Sequence, residues 1–318
     1  MRRRVCVARR FGVLVALAPI LATASCGGSH VRIAKAPDMS KSPVTNVAGR
    51  RVSSTQRGSN RAIPPPLLRP HARYVALGSS FAAGPGIPAQ DHGLCGRSDH
   101  NYPSLVAAKL GLDLSDVSCS GATTADVTTT PQGSLPPQID AVSAATALVT
   151  FTVGGNDIGY SADTIECAAM DANGGSCAAV RNSVRTRREV AALPGDLTAM
   201  IDHIRARAPS ARIVMVTYPK VIPDHPATCA ALSLSAPDAA FVASLGRQLE
   251  TIFTTVAAAT HVTLADPYVR SDGHGPCATN SERWIEGATP RSSGAPFHPN
   301  ENGHIEMASL VIAALGSR

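Results

Sequence analysis

The chain has 318 residues, of which 44% are hydrophobic, 16% charged and 4% aromatic, and its formal net charge is +6. That much apolar chain suffices for a sizeable core and excludes disorder throughout. The positive charge is uneven: residues 1–70 hold 13 of the 29 Lys and Arg and one of the 23 acids, Asp38, so they carry +12 and residues 71–318 carry −6. Nucleic-acid binding draws on Lys and Arg clustered on the folded body, so no nucleic-acid partner is expected.

In chain order, MRRRVCVARR is a basic opening, FGVLVALAPILA is an apolar stretch too short for a stable membrane span, and ATA at 22–24 suits a signal peptidase. Residues 1–26 therefore read as an export signal. Cys26, in the context TASCGG, also resembles a lipoprotein cleavage site at which the cysteine becomes the acylated first residue. Membrane attachment through Cys26 in the cell envelope thus stands beside plain secretion. Residues 27–70 are rich in Ser, Pro, Gly and Arg with no sustained apolar period, and read as a disordered basic tether.

Residues 71–318 alternate two patterns. RYVALG at 73–78, ALVTFTVGG at 147–155, RIVMVTYP at 212–219 and HVTLADPY at 261–268 read as buried parallel strands. Helical periodicity runs over 102–111, 196–208, 236–258 and 302–316. The alternation predicts one α/β domain, doubly wound and flavodoxin-like, with a mainly parallel sheet flanked by helices.

With Cys6 inside the export signal and Cys26 set aside, six cysteines remain: Cys95, Cys119, Cys167, Cys177, Cys229 and Cys277. In an exported domain they can form three bridges, in fifteen formal connectivities, and the short spacings favour the sequential one. None has the C-x-x-C or C-x-x-H spacing of a zinc ligand pair, and no metal or cofactor is expected.

In such a sheet chemistry collects at the carboxyl ends of the strands. The first strand delivers Gly78-Ser79-Ser80, and a later turn carries Cys119-Ser120-Gly121-Ala122. Gly154-Gly155-Asn156-Asp157 follows the second strand, and Pro296-Phe297-His298-Pro299 precedes the terminal helix. A serine hydroxyl, glycine N–H, an asparagine amide and an imidazole are what acyl transfer requires: a nucleophile, oxyanion donors and a base.

These four segments, YVALGSSFAAGPG, CSGATT, TVGGND and HPNENGH, resemble in order the blocks of the SGNH (GDSL) hydrolase family, over residues 73 to about 316. The secreted actinobacterial esterase and lipase branch is most similar, and it too carries three sequential disulfides. The resemblance implies the SGNH fold for residues 71–318 and assigns Ser80 as nucleophile, His298 as base, and the Ser80 N–H, Gly121 N–H and Asn156 amide as oxyanion donors. It also implies an ester-bearing lipid, acylated small molecule or acylated polysaccharide as substrate; a monomer is expected.

Two positions depart from the family pattern. Ser79 stands where Asp usually braces the nucleophile turn, and Ala295 stands where the triad acid usually precedes the histidine. Nothing in the sequence brings Asp266, Asp272 or Glu301 to the imidazole, so the reading is a Ser–His dyad with a backbone carbonyl near Ala295 orienting His298. Asp157 reads as a cap or brace of its turn, His304 as a helix-surface or packing residue, and the arginine run at 181–188 as a solvated face. An α/β-hydrolase is disfavoured, because G-x-S-x-G is broken at Ala82. The rivals are a carbohydrate O-acetylesterase on the same scaffold and a non-catalytic envelope binding protein.

Overall fold

The computed structural model describes residues 68–178, 184–223 and 229–316. The readings for 1–26, for Cys26 and for the tether up to residue 67 lie outside the described residues, as do residues 181–183 of the arginine run.

Five strands form one wholly parallel sheet: β1 Arg73–Gly78, β2 Asp113–Asp116, β3 Thr146–Thr152, β4 Arg212–Val216 and β5 Thr263–Ala265. Their order is β2-β1-β3-β4-β5, the flavodoxin-like winding. The described helices are α1 Ser80–Ala83, α2 Tyr102–Leu110, α3 Thr124–Thr128, α4 Tyr160–Ala172, α5 Val184–Arg207, α6 Ala236–Thr260, α7 Pro267–Arg270 and α8 Glu301–Gly316, with short 3-10 turns at Gln138–Ala141 and Ala230–Leu232. Among the described residues no helix is long and apolar enough to cross a membrane.

Alternation along each strand sends side chains to opposite faces, and both faces are covered. Tyr74, Ala76, Leu148, Val214 and Val216 pack with Val106 of α2 and Met307 and Val311 of α8. On the other face, Val75, Leu77, Val149, Phe151 and Met215 pack with Leu197 and Met200 of α5 and Val242 and Phe253 of α6. The winding direction reverses between β1 and β3, so a crevice opens beyond their carboxyl ends.

Three bridges join Cys95 to Cys119, Cys167 to Cys177 and Cys229 to Cys277, the sequential pairing. Four strands and four helices lie where periodicity puts them, with shifted ends. Five further strands and helices among the described residues have no counterpart in the periodicity: β2, α1, α3, α4 and α7. β2 is a four-residue edge strand of sequence DLSD with no fully buried side chain, so it lacks an apolar run. Helix α5 starts twelve residues before the expected 196, running through Pro194. Proline there forfeits one backbone bond, and the buried stripe of Leu193, Leu197, Met200, Ile201 and Ile204 outweighs that loss.

Glu250 on α6 faces Asp266, which is itself held by Thr217 Oγ1 and the Tyr268 N–H. Burial, followed by repulsion from Asp266, raises the Glu250 carboxyl to about 7. A carboxyl raised on folding contributes stability that is complete below its unfolded value and is lost as pH rises through the folded one. The melting temperature of Glu250→Gln relative to wild type should therefore climb between pH 5 and pH 8; a difference independent of pH contradicts the placement of this pair.

Candidate active site

At the end of β1 the backbone must turn sharply. Gly78 has φ of 137°, and a Cβ there would lie 2.6 Å from the Thr152 carbonyl oxygen, so only glycine fits. Its peptide groups are clamped by one side chain: Gln138 Oε1 accepts from the Gly78 N–H at 2.7 Å, and Gln138 Nε2 donates to the Gly78 carbonyl at 2.9 Å. Ser79 remains extended, donating its N–H to Thr152 O at 2.9 Å and its Oγ–H to the same oxygen at 3.3 Å. The short hydroxyl thus makes the bracing contacts available to it in the place where the family has a carboxylate. Ser80 then opens α1.

His298 arrives from the opposite end of the chain. Its Nε2 lies 2.8 Å from Ser80 Oγ, and its Nδ1 lies 2.7 Å from the carbonyl oxygen of Pro296. A carbonyl only accepts, so Nδ1 carries the proton and Nε2 is the acceptor for the Ser80 hydroxyl. The carbonyl belongs to a turn closed by the His298 N–H on Ala295 O, in which Phe297 has φ of 58°. Proline before a positive-φ residue is the type II pattern, usually with glycine in the second place. A phenylalanine there costs about 1–2 kcal/mol, and its burial in the core offsets that strain.

The imidazole is buried, with the ring of Phe81 4.8 Å away on one side. Burial disfavours the imidazolium and lowers the His298 pKa below its ordinary value, opposed in part by the Pro296 carbonyl. Among the described residues no carboxylate meets it: Asp266 caps α7, Asp272 pairs with Lys220 Nζ at 3.0 Å, and Glu301 lies 2.8 Å from His100 Nδ1. His304, also buried, accepts the Tyr102 N–H on Nδ1. Burial and then the nearby His298 lower it to about 3, so it stays neutral and packs.

The histidine turn is carried by a polar cluster that sequence reading did not find. Glu286 donates its N–H to the His298 carbonyl at 3.0 Å, and its buried carboxylate accepts from Arg283 Nε, Ser292 Oγ, Asn300 Nδ2 and the Arg291 N–H. Burial pushes that carboxyl up, but the converging donors outweigh it and hold the Glu286 pKa below the usual range. Asn300, two residues past His298, also donates to Arg283 O. Isolated Arg, Glu and Asn in a loop-rich stretch carry no periodic signal, so only the folded chain reveals the cluster.

Gly121 lies in a loop fastened from several sides. The Cys119 N–H donates to Gly78 O at 2.9 Å, and the Cys95–Cys119 bridge ties the loop to the segment after α1. Asn156 donates one Nδ2 hydrogen to Ala122 O at 2.9 Å, and its second has no acceptor among the described residues. Asp157 accepts from Thr124 N and Oγ1, so it braces α3 against the turn after β3. The adjacent Gly155 donates its N–H to Tyr218 OH at 2.9 Å, and a Cβ at Gly155 would lie 2.9 Å from that ring. Tyr218, whose hydroxyl is also 3.4 Å from Ser79 Oγ, is another residue the sequence reading passed over, taken only as the end of a strand pattern. Among the described residues neither the Ser80 nor the Gly121 N–H has an acceptor. A hydroxyl hydrogen-bonded to a neutral imidazole suits nucleophilic attack on a carbonyl, and N–H groups without an acceptor are of the type that meets a developing oxyanion.

Comparison with known proteins points to ester hydrolases. The model of the GDSL-like Lipase/Acylhydrolase family matches residues 76–304. The chain is 34% identical to Lipase 2 of Streptomyces coelicolor over 262 residues, 79% of this chain and 88% of that protein. It is similar in structure to an extracellular lipase of Streptomyces rimosus, with 30% identity, a TM-score of 0.65 and coverage of 76% of this chain and 99% of that one. Phospholipase A1 of Streptomyces albidoflavus gives 29% identity, a TM-score of 0.62 and coverage of 78% and 99%. The chain belongs to the GDSL-like lipase/acylhydrolase family and is a carboxylic ester hydrolase.

Proposed function

We propose that this protein is an exported serine esterase of the lipase type, working through an acyl-enzyme on Ser80. The observation that carries the reading is the Ser80 Oγ to His298 Nε2 hydrogen bond of 2.8 Å with the Nδ1 proton held on Pro296 O. Ser80 Oγ attacks the ester carbonyl carbon as His298 Nε2 takes its proton; the negative charge on the carbonyl oxygen is met by the Ser80 N–H, the Gly121 N–H and the free Asn156 Nδ2 hydrogen. Collapse of the tetrahedral adduct breaks the bond to the leaving alkoxide, which receives the Nε2 proton. Water then repeats the sequence on the acyl-enzyme and releases the acid. A neutral carbonyl stabilises the imidazolium less than a carboxylate does, so turnover is slower than an acid-bearing triad allows.

Export is supported by the leader-like residues 1–26 and by three bridges of a kind that persists in oxidising compartments. For the substrate, an aliphatic acyl ester is favoured over an acetyl group. A cavity of about 390 Å³ shares Cys119 with the Gly121 loop; Val117, Leu135, Pro136, Pro137 and Ala141 give it an apolar wall, and Arg97, Asp116, Gln132, Gln138 and Asp140 a polar one, while Ser80 and His298 lie outside its lining. At roughly 30 Å³ for a group the size of water, on the order of ten methylenes fit.

Ser80→Ala and His298→Ala should each lower kcat on p-nitrophenyl esters about 10⁴-fold, whereas Asp272→Ala keeps activity within about threefold. Collapse of a folded Asp272 variant contradicts the dyad. Because His298 is shifted down, the acid limb of kcat/KM should fall below the ordinary histidine value of about 6.5; a limb at or above it counts against a buried, carbonyl-held base. Across p-nitrophenyl acetate, octanoate and palmitate, kcat/KM should peak at the octanoate. A peak at acetate supports the carbohydrate O-acetylesterase instead, and no turnover of any ester supports a binding protein.

A further inference from the structure

The Gly121 N–H and the Ser120 carbonyl are the two ends of one planar trans peptide and point in opposite directions. Whatever fixes the carbonyl aims the N–H. Gln132 Nε2 donates to Ser120 O at 2.8 Å. A carbonyl accepts only, so the amide is turned with nitrogen toward the peptide. The backbone of Gln132 is itself anchored: its N–H donates to Leu135 O at 3.0 Å and its carbonyl accepts from the Leu135 N–H at 3.1 Å.

The peptide before Ser80 is treated the same way by different means. The Ser79 carbonyl accepts from the Ala82 and Ala83 N–H groups, both at 2.9 Å, so the first turn of α1 aims the Ser80 N–H. Gly121 has no helix to do this: its turn is closed by the Ala122 N–H on Cys119 O at 3.1 Å and tied by the Ser120 N–H to Cys95 O at 3.0 Å, and the Ser120 carbonyl itself is held by a side chain from eleven residues beyond Gly121. Gln132 Oε1 is buried without a partner among the described residues. A glutamine kept for stability alone is poorly placed with an orphan acceptor, since leaving one buried is costly. Donation to the carbonyl also polarises the peptide, strengthening its N–H toward an anion.

We infer that Gln132 is a positioning residue for the oxyanion donor at Gly121, holding the Ser120–Gly121 peptide so that its N–H faces the tetrahedral adduct. The inference rests on the acyl-enzyme reading above, and its test separates the two. Gln132→Met removes the donor and the orphan acceptor together. Its kcat should fall about tenfold to a hundredfold, with KM within about twofold and the melting temperature not lowered. Affinity for a trifluoromethyl ketone, which forms a tetrahedral adduct on the serine, should weaken by the same factor as kcat/KM.

Asn156→Ala is measured beside it. Loss of kcat in Asn156→Ala with an unchanged Gln132→Met overturns the positioning role and leaves the oxyanion reading standing; if neither variant loses kcat, the oxyanion reading falls and the inference with it. A change confined to KM also overturns the role. Should the methionine variant misfold, Gln132→Glu supplies the readout. Its carboxyl donates to Ser120 O only when protonated, so its kcat relative to wild type should fall as pH rises from 5 to 8, and a flat ratio overturns the role.

Discussion

A buried imidazole keeps one nitrogen bare toward a hydroxyl only while the other has a fixed acceptor for its proton, and in this chain that acceptor is a main-chain carbonyl. The constraint reaches far into the fold. The Pro296 carbonyl is presented by a turn that puts a phenylalanine at positive φ, and the turn is itself held through Glu286, Asn300 and Arg283. An ion pair this deeply buried contributes little net stability compared with apolar packing. Its evident service is geometric: several donors converge on one carboxylate and immobilise the loop on either side of His298.

The loops on the other side of the crevice are held mainly by neutral side chains, with Asp157 as a charged exception. Gln138, Gln132, Asn156 and Tyr218 each bind main-chain groups at the ends of β1, β2 and β3 or in the loops after them, so the positions of those peptides are fixed by side chains. Neutral amides suit this role, because their dipoles need little solvation and their two ends can hold two partners. The parallel sheet brings those three loops side by side, and its reversal between β1 and β3 sets the gap between them.

How much of this was legible in the chain follows from what each residue signals. β1 and β3 are central, buried on both faces and carry apolar runs, so they are plain in the sequence; β2 lies at the edge, with aspartates at its ends, and is not. The segments meeting at the crevice stand out because each joins glycine or proline turns to a residue with a reactive or donating group, and because a family resemblance ties them together. The residues that orient them were invisible. Gln132, Gln138 and Glu286 act through contacts with chain segments 12, 60 and 12 residues away, and no local pattern marks a glutamine or glutamate for such a role. The missing acid at Ala295 was visible as an absence, while its replacement, one residue further on at Pro296, is a main-chain atom that every residue possesses.

The central claim is that Ser80 is a nucleophile made reactive by a carbonyl-oriented histidine. Treatment of the folded protein with a fluorophosphonate, followed by peptide mapping, tests it most directly. The account predicts one adduct, on the peptide containing Ser80, and none in a folded His298→Ala variant. A wild-type protein that stays unlabelled, or carries the label on another residue, contradicts it.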